Sequence, residues 1–470
     1  MVDAISSRNL SFKYETSPDG LNDINFDIKQ GEMILLTGDS GSGKSTLMRC
    51  FNGLIPEITD GELSGDLFFE GEKYKDLKMY QLNKKIGSVF QNPRSQFFTT
   101  NTTAELVFPM ENYEYSKEEM DSQLEKSVER FDIKDLLNRN IFELSSGERQ
   151  MIALVSALIM NQSVVLFDEP SANLDYGNTI KLGRIIEKMK KQGITVIVAD
   201  HRFYYLNGIV DRVFLMDKGH LSIYDSEESF KSGSYDTRSF DLFSLDIETS
   251  KRLTSGKTVA GIRNVSFKNI LKNLNLDIKK NEVTVLVGKN GVGKTTLAKL
   301  LCESYKGYSG RIEKEELPFF IMQDPDFQLF GTSVYNELLL VTNDNKRIDQ
   351  VLKELGLYEL KNKHPFDLSG GQKQRLQIAM ALLCDREFII FDEPTSGLDV
   401  SSMLTVARKI ESLKENAAVF VLSHDYEFIR NIADRIIYLE DGEISEDFYL
   451  EKESVKDLNN IFIKLQGENS

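Results

Sequence analysis

The sequence predicts two α/β domains of one architecture, each a buried, mostly parallel sheet flanked by helices, and three observations predict it. Apolar runs end in glycine turns that open helices, strand-type and helix-type patterns alternate, and the whole order of elements occurs twice. LTGDSGSGKSTL at 36–47 returns as LVGKNGVGKTTL at 286–297, and VVLFDEPSANLD at 164–175 as FIIFDEPTSGLD at 388–399. Between them, QNPRSQFF at 91–98 returns as QDPDFQLF at 323–330, and FELSSGERQ ending at Gln150 as FDLSGGQKQ ending at Gln374.

The repeat sets the boundaries: a first domain over 1–225, a turn-rich linker over 226–255 in which Phe240 and Phe243 are candidates for packing on a domain, and a second domain over 256–470. In each domain an apolar strand (GEMILLTG, EVTVLVG) feeds a helix (STLMRCFNGL, TTLAKLLCES). SVVLFDEP and ITVIVAD, then EFIIFDEP and AAVFVLSHD, are continuous apolar runs of the kind that lie between other strands. KLGRIIEKMKK and SMLTVARKIESLKE are the amphipathic helices joining them. Charged helical stretches, SKEEMDSQLEKSVERF and NDNKRIDQVLKEL, point to a separate helical lobe in each half.

Composition narrows the function. A chain of 470 residues with 41% hydrophobic content fills more than one core. Its net charge of -16 argues against an extended nucleic-acid surface. Cys50, Cys302 and Cys384 form no C-x-x-C pair, and His201, His220, His364 and His424 build no metal motif, which fits a reducing compartment. The N-terminus lacks a charged leader with an apolar core, and no run is long enough to cross a bilayer.

Gly38, Gly41, Gly43, Lys44 and Ser45, and again Gly288, Gly291, Gly293, Lys294 and Thr295, have the spacing of a loop whose backbone N–H groups curl around phosphates. The lysine reaches the outer phosphates and the hydroxyl of Ser45 or Thr295 ligates magnesium. Thr46 and Thr296 follow on the helix end. Asp168 and Asp392 close apolar strands, where magnesium needs a second anchor, and Glu169 and Glu393 are placed to orient or deprotonate water. His201 and His424 recur 32 and 31 residues after those glutamates, which favours a role at the nucleotide over a structural one. These groups make the chain an ATPase with ATP and Mg2+ as its expected ligands.

LSSGE at 144–148 and LSGGQ at 368–372 resemble the signature of the ATP-binding-cassette ATPases, and the likeness covers almost the whole chain. The resemblance implies two P-loop domains, each a RecA-like mixed sheet core with a helical subdomain, pairing head to tail. On that pattern Lys44, Gln91, Asp168, Glu169 and His201 work with Ser369, Gly370 and Gly371, and Lys294, Gln323, Asp392, Glu393 and His424 with Ser145, Ser146 and Gly147. Gln91 and Gln323 would touch metal and water, Asp175 and Asp399 fall at the position that links the sites, and Tyr14 matches the aromatic that stacks on adenine. Departures are Ser146 and Glu148 in the first signature and Asn269 opposite Tyr14, with Phe267 as a possible substitute. Lys44 to Gln91 spans 47 residues and Lys294 to Gln323 only 29, so the second copy lacks about 18 residues of a strand-rich segment. Two active but kinetically unequal sites are expected.

The segments after Gln91 and Gln323 resemble most closely the ATPases of energy-coupling-factor importers. That resemblance implies uptake of a vitamin, vitamin precursor or transition metal, from the cytoplasmic face of the membrane. Its implied partners are a transmembrane scaffold protein and a small cargo-binding membrane protein, with Phe97, Phe98, Leu329 and Phe330 near the docking grooves. Alternatives are the ATPase of another ABC transporter, such as a monosaccharide importer, and a soluble twin-cassette ATPase of the ribosome-associated kind.

Overall fold

The computed structural model describes residues 3–15, 20–90, 96–172, 174–233, 237–248 and 256–467. They divide into two compact units, one of Met1–Leu174 with Asn178–Phe240, the other of Asp175–Gly177 with Asp241–Ser470.

The first unit contains β1 (Asp3–Tyr14), β2 (Gly20–Lys29), β3 (Met33–Thr37), β4 (Gly61–Phe69), β5 (Glu72–Lys73), β6 (Ile86–Val89), β7 (Val164–Asp168), β8 (Thr195–Ala199), β9 (Arg212–Asp217) and β10 (His220–Tyr224). An antiparallel sheet runs β2-β1-β4-β5 and a six-stranded mixed sheet runs β10-β9-β3-β8-β7-β6. Every residue of β3 and β8 is buried, because both strands have neighbours on each side, with the antiparallel sheet and helix Lys44–Phe51 over one face and further helices over the other. Helices Thr102–Asn112, Lys117–Phe131 and Ser146–Leu158 form the separate lobe, around Leu106, Met110, Ile133, Leu144, Ile152, Val155 and Ile159.

The second unit repeats the plan with β11 (Thr258–Phe267), β12 (Leu271–Lys279), β13 (Glu282–Val287), β14 (Ser309–Lys314), β15 (Phe319–Ile321), β16 (Phe388–Asp392), β17 (Ala418–Leu422), β18 (Arg435–Glu440) and β19 (Glu443–Tyr449). Its sheets run β12-β11-β14 and β15-β16-β17-β13-β18-β19. The missing residues are now located. The first unit has β4, β5 and helix Met79–Lys85 between its phosphate-loop helix and β6, whereas β14 alone stands between helix Lys294–Leu301 and β15.

The stretch 226–255, read above as a linker, is largely folded in its described part. Helix Glu227–Lys231 buries Phe230, and Phe240 lies 4.6 Å from the Phe203 ring in the first unit's core. Phe243 packs edge-on against Tyr426 in the second unit, 5.6 Å away. Polar composition hid this, because a few aromatic side chains carry the burial. Residues 234–236 and 249–255 lie outside the described residues.

One device starts the strand that delivers each phosphate loop. Asp211 Oδ2 accepts from Met33 N at 2.9 Å and Asp211 Oδ1 pairs with Lys190 Nζ at 2.7 Å. In the second unit Asp434 accepts from Val283 N at 2.8 Å and pairs with Lys414 Nζ at 3.0 Å. The first pair is half-exposed and the second fully buried. Removing one partner of a buried pair strands a charge, so Lys414→Met should destabilise the second unit by about 3–5 kcal/mol. Lys190→Met should cost at most about 1 kcal/mol. Urea titration of the two variants measures the difference as a shift in midpoint.

Candidate functional site

Each phosphate loop follows a buried central strand and opens a helix, Lys44–Phe51 or Lys294–Leu301. The residues before the helices, Gly43 and Gly293, sit at φ 109° and 116°, a left-handed conformation that side-chain-bearing residues rarely adopt. A Cβ on Gly41 or Gly291 would meet nothing within 4 Å, so the rim of each loop is open on that side. Lys44 Nζ curls back to donate to the carbonyls of Gly38 at 2.7 Å and Asp39 at 2.9 Å, and Lys294 Nζ to those of Gly288 at 2.6 Å and Lys289 at 3.2 Å. Ser42 Oγ, inside the first loop, is buried with no hydrogen-bond partner.

Asp168 and Asp392 end β7 and β16. Burial, reinforced by the neighbouring glutamate, pushes both carboxyls up to about 6. Thr295 Oγ1 donates to Asp392 Oδ2 at 2.8 Å, uniting the two residues expected to share magnesium, while Ser45 is exposed. A buried carboxylate short of positive charge, beside a hydroxyl and a lysine, suits a hard divalent cation held by oxygens. The orphaned Ser42 hydroxyl and the open loop rim suit phosphate oxygens. The residues present therefore fit Mg2+ and ATP.

Glu169 and Glu393 occupy left-handed backbone, φ 46° and 50°, pinned by their own N–H groups to Ala199 O at 2.7 Å and Leu422 O at 2.9 Å. Such a conformation costs about 1–2 kcal/mol in a residue with a Cβ and persists where surrounding bonds impose it. His424 Nδ1 lies 2.6 Å from Glu393 Oε1, both groups buried. His201 also faces its glutamate, but through Nε2 and at 3.4 Å. The two couples share a location and differ in geometry.

Tyr14 O–H and Thr46 Oγ1 are 2.9 Å apart, so the expected adenine-stacking ring is fixed to the phosphate-loop helix. Strand register settles the counterpart: Ser11 pairs with Ser64 and Ser266 with Ser309, which aligns Phe267 with Phe12 and leaves exposed Asn269 opposite Tyr14. Phe267 is buried and stacked on Tyr305, so it does not take the place of Tyr14. Thr296 is half-buried on its helix.

At the signatures, Ser145 and Ser369 cap helices Ser146–Leu158 and Gly370–Leu383 in reciprocal capping boxes with Glu148 and Gln372. Glu148 is held below the ordinary carboxylate range by the Ser145 N–H and also pairs with Arg139 at 2.8 Å. The first signature thus carries a negative charge at its helix start where the second has a neutral amide. Gly147 and Gly371 follow on the first turns. Asp399 caps helix Val400–Leu413, and within the second unit Asp175 Oδ2 accepts from Asn290 N at 2.8 Å.

Gln91 lies outside the described residues, and Gln323 is exposed just past β15. The second glutamine of each segment has a role that sequence reading missed. Gln96 accepts from Phe90 N and donates to Ser88 O, and Gln328 accepts from Met322 N and donates to Phe320 O, so each glutamine is held to the end of the strand before it. Buried Glu105 and Glu337 complete the turn through the N–H groups of Phe98 and Thr99 or Phe330 and Gly331. Of the four aromatic and aliphatic side chains expected near grooves, Phe98 and Phe330 are 76% and 78% exposed, Phe97 packs on the helical lobe and Leu329 is buried. Also unforeseen are Asp200 and Asp425, both buried beside the histidines.

Comparison with known proteins agrees with this chemistry. The family model described as ABC transporter matches residues 21–172 and 271–396. A "Putative ABC transporter ATP-binding protein" of Treponema denticola is 40% identical, covering 95% of this chain and 97% of that one. The "Putative HMP/thiamine import ATP-binding protein YkoD" of Bacillus subtilis is 30% identical over 94% of this chain and 91% of its own length. A crystal structure of archaeal ribosomal stalk protein aP1 with archaeal ribosome recycling factor aABCE1 contains a chain of similar fold, with TM-score 0.68, 24% identity and coverage of 96% of this chain and 92% of that one.

The last comparison corrects the expectation of a transmembrane scaffold and a small cargo-binding membrane protein as partners. A similar fold occurs there in a protein crystallised with a ribosomal partner, so the fold does not imply membrane partners. Among the described residues no helix is long and apolar enough to cross a membrane. Two phosphate loops, two strand-ending Asp-Glu pairs, the doubled family match and the full-length relatives converge: this chain belongs to the ABC transporter family, as a duplicated ATP-binding and ATP-hydrolysing protein with Mg2+ as its cofactor.

Proposed function

We propose that the chain is the motor ATPase of an ABC transporter, hydrolysing ATP at two unequal sites. The observation that carries the reading is the buried Glu393–His424 couple beside Thr295–Asp392 and a lysine-bearing loop, with its counterpart around Asp168, Glu169 and His201. Transport is supported by the names of the full-length relatives. With ATP as fuel, the reading places the chain at the cytoplasmic face of a membrane.

In this reading Lys44 and Lys294 turn from their loop carbonyls to phosphate oxygens, which the glycine N–H groups also bind. Ser45 with Asp168, and Thr295 with Asp392, are the residues to hold magnesium, assisted by Gln91 and Gln323; bound there, the ion offsets phosphate charge. Glu169 and Glu393 accept the proton of water as its oxygen bonds the terminal phosphorus and the bond to the ADP oxygen breaks. His201 and His424 hold those carboxylates in place. Tyr14 offers the adenine a ring face, Thr46 and Thr296 line the helix start, and Ser145, Ser146, Gly147, Ser369, Gly370 and Gly371 add helix-end donors for phosphate.

A narrower form of the reading is micronutrient uptake, supported by the thiamine-import name of the Bacillus relative and by the Q-x-P-x-x-Q segments. A second reading, a soluble twin-cassette ATPase, is supported by the likeness of fold to the archaeal recycling factor. Cell fractionation separates them: sedimentation of the tagged chain with membranes, lost after washing with detergent, supports the transport reading. Sedimentation with ribosomes, or with neither, overturns it.

The hydrolytic roles have their own test. Glu169→Gln and Glu393→Gln should each abolish one share of turnover, and the double variant should lose about 100-fold or more while still binding ATP. Steady-state phosphate release and nucleotide binding check this.

A further inference from the structure

The two histidines stand in different sequence contexts, and the strand register shows how. Asp168 pairs with Ala199 and Asp392 with Leu422, so Ala199-Asp200-His201-Arg202 aligns with Leu422-Ser423-His424-Asp425. The carboxylate precedes the histidine in the first unit and follows it in the second.

Both carboxylates nevertheless reach the same place. Asp200 accepts from Ser171 Oγ at 3.0 Å and Asp425 from Thr395 Oγ1 at 3.3 Å, each partner lying two residues after the water-activating glutamate. All four side chains are buried, Ser171 and Thr395 completely. Each carboxylate therefore ties the turn that carries the glutamate to the segment that carries the histidine.

Changing sides has a consequence for the histidine. Asp200 also takes the backbone N–H groups of His201 at 2.7 Å and Arg202 at 3.0 Å, and the Tyr205 hydroxyl at 2.7 Å. The His201 N–H is thereby directed to Asp200, and the ring meets Glu169 through Nε2 at 3.4 Å. Where the aspartate follows, the His424 N–H is directed to Glu393 Oε2 at 3.4 Å and the ring meets Oε1 through Nδ1 at 2.6 Å.

We infer that Asp200 and Asp425 are positioning residues that substitute for one another across the histidine, and that the exchange selects which imidazole nitrogen faces the glutamate. The first unit is thereby set to turn over more slowly than the second. The kinetic part rests on Glu169 and Glu393 activating water, as proposed above; the choice of nitrogen does not.

The chain contains only four histidines, so 15N-histidine labelling of the full-length protein gives a readable spectrum, assigned by His201→Gln and His424→Gln. The expected result is a proton on Nδ1 for His424 and on Nε2 for His201. Asp200→Ser combined with Arg202→Asp, which moves the carboxylate to the second unit's position, should shift the proton on the His201 ring to Nδ1. Tyr205→Phe, which keeps the ring and removes one bond to Asp200, is the milder variant should the double exchange fold poorly, and it should broaden or move the His201 signals.

Turnover of the first site, read in a Glu393→Gln chain, should fall about tenfold in Asp200→Asn with KM for ATP unchanged, the loss typical when a supporting hydrogen-bond partner is removed. Identical tautomers at His201 and His424, or a loss of thermal stability in Asp200→Asn with kcat intact, overturns the inference. Full turnover in the Glu169→Gln, Glu393→Gln double variant instead overturns the assignment of the glutamates and leaves the tautomer result standing.

Discussion

Asp392 and Glu393 are neighbours at the end of a strand, both buried, and both acidic. Their repulsion in a poorly solvated place is the constraint around which the second unit's chemistry is arranged, and Asp168 and Glu169 impose the same constraint on the first. Part of the answer is backbone: Glu393 is held in a left-handed turn, and the two side chains bond to different partners. Part is partners: Thr295 and Lys294 lie on the aspartate's side and His424 on the glutamate's. What is left over is a carboxyl raised to about 6, a deficit of positive charge that magnesium suits.

Much of this was legible in the sequence because it depends on local spacing. A glycine-rich turn after an apolar strand fixes where the lysine and hydroxyl go, and an Asp-Glu pair closing another apolar strand fixes the carboxylates. Duplication made each assignment independently checkable, and the strands and phosphate-loop helices fall where the apolar runs place them. Burial in the region taken for a linker was harder to see, since Phe230 and Phe240 are isolated apolar residues among Ser, Asp and Lys.

Side-chain bonds between distant segments were not legible. Gln96 and Gln328 had no role in the sequence reading, yet each bonds back to backbone groups at the end of its own strand. Asp200 and Asp425 occupy different alignment columns, so comparing the halves position by position hides that they bond to equivalent residues; strand register reveals it. Phe267 was a reasonable stand-in for Tyr14 by composition, but its strand position points it into the core. Partner choice failed for another reason: surface complementarity belongs to a complex, and a shared fold serves different partners.

The two units agree in the groups proposed to touch phosphate, metal and water and differ in what surrounds them: the signature charge at Glu148, the ring at Tyr14, the nitrogen that faces each glutamate. Unequal but complete sites are the central claim, and nucleotide stoichiometry tests it most directly. Equilibrium binding of radiolabelled ATP with Mg2+ to the Glu169→Gln, Glu393→Gln chain should give about two nucleotides per chain with separable affinities, and Lys44→Ala or Lys294→Ala should each remove one. A single nucleotide per chain, unaffected by one of the lysine variants, would contradict the account.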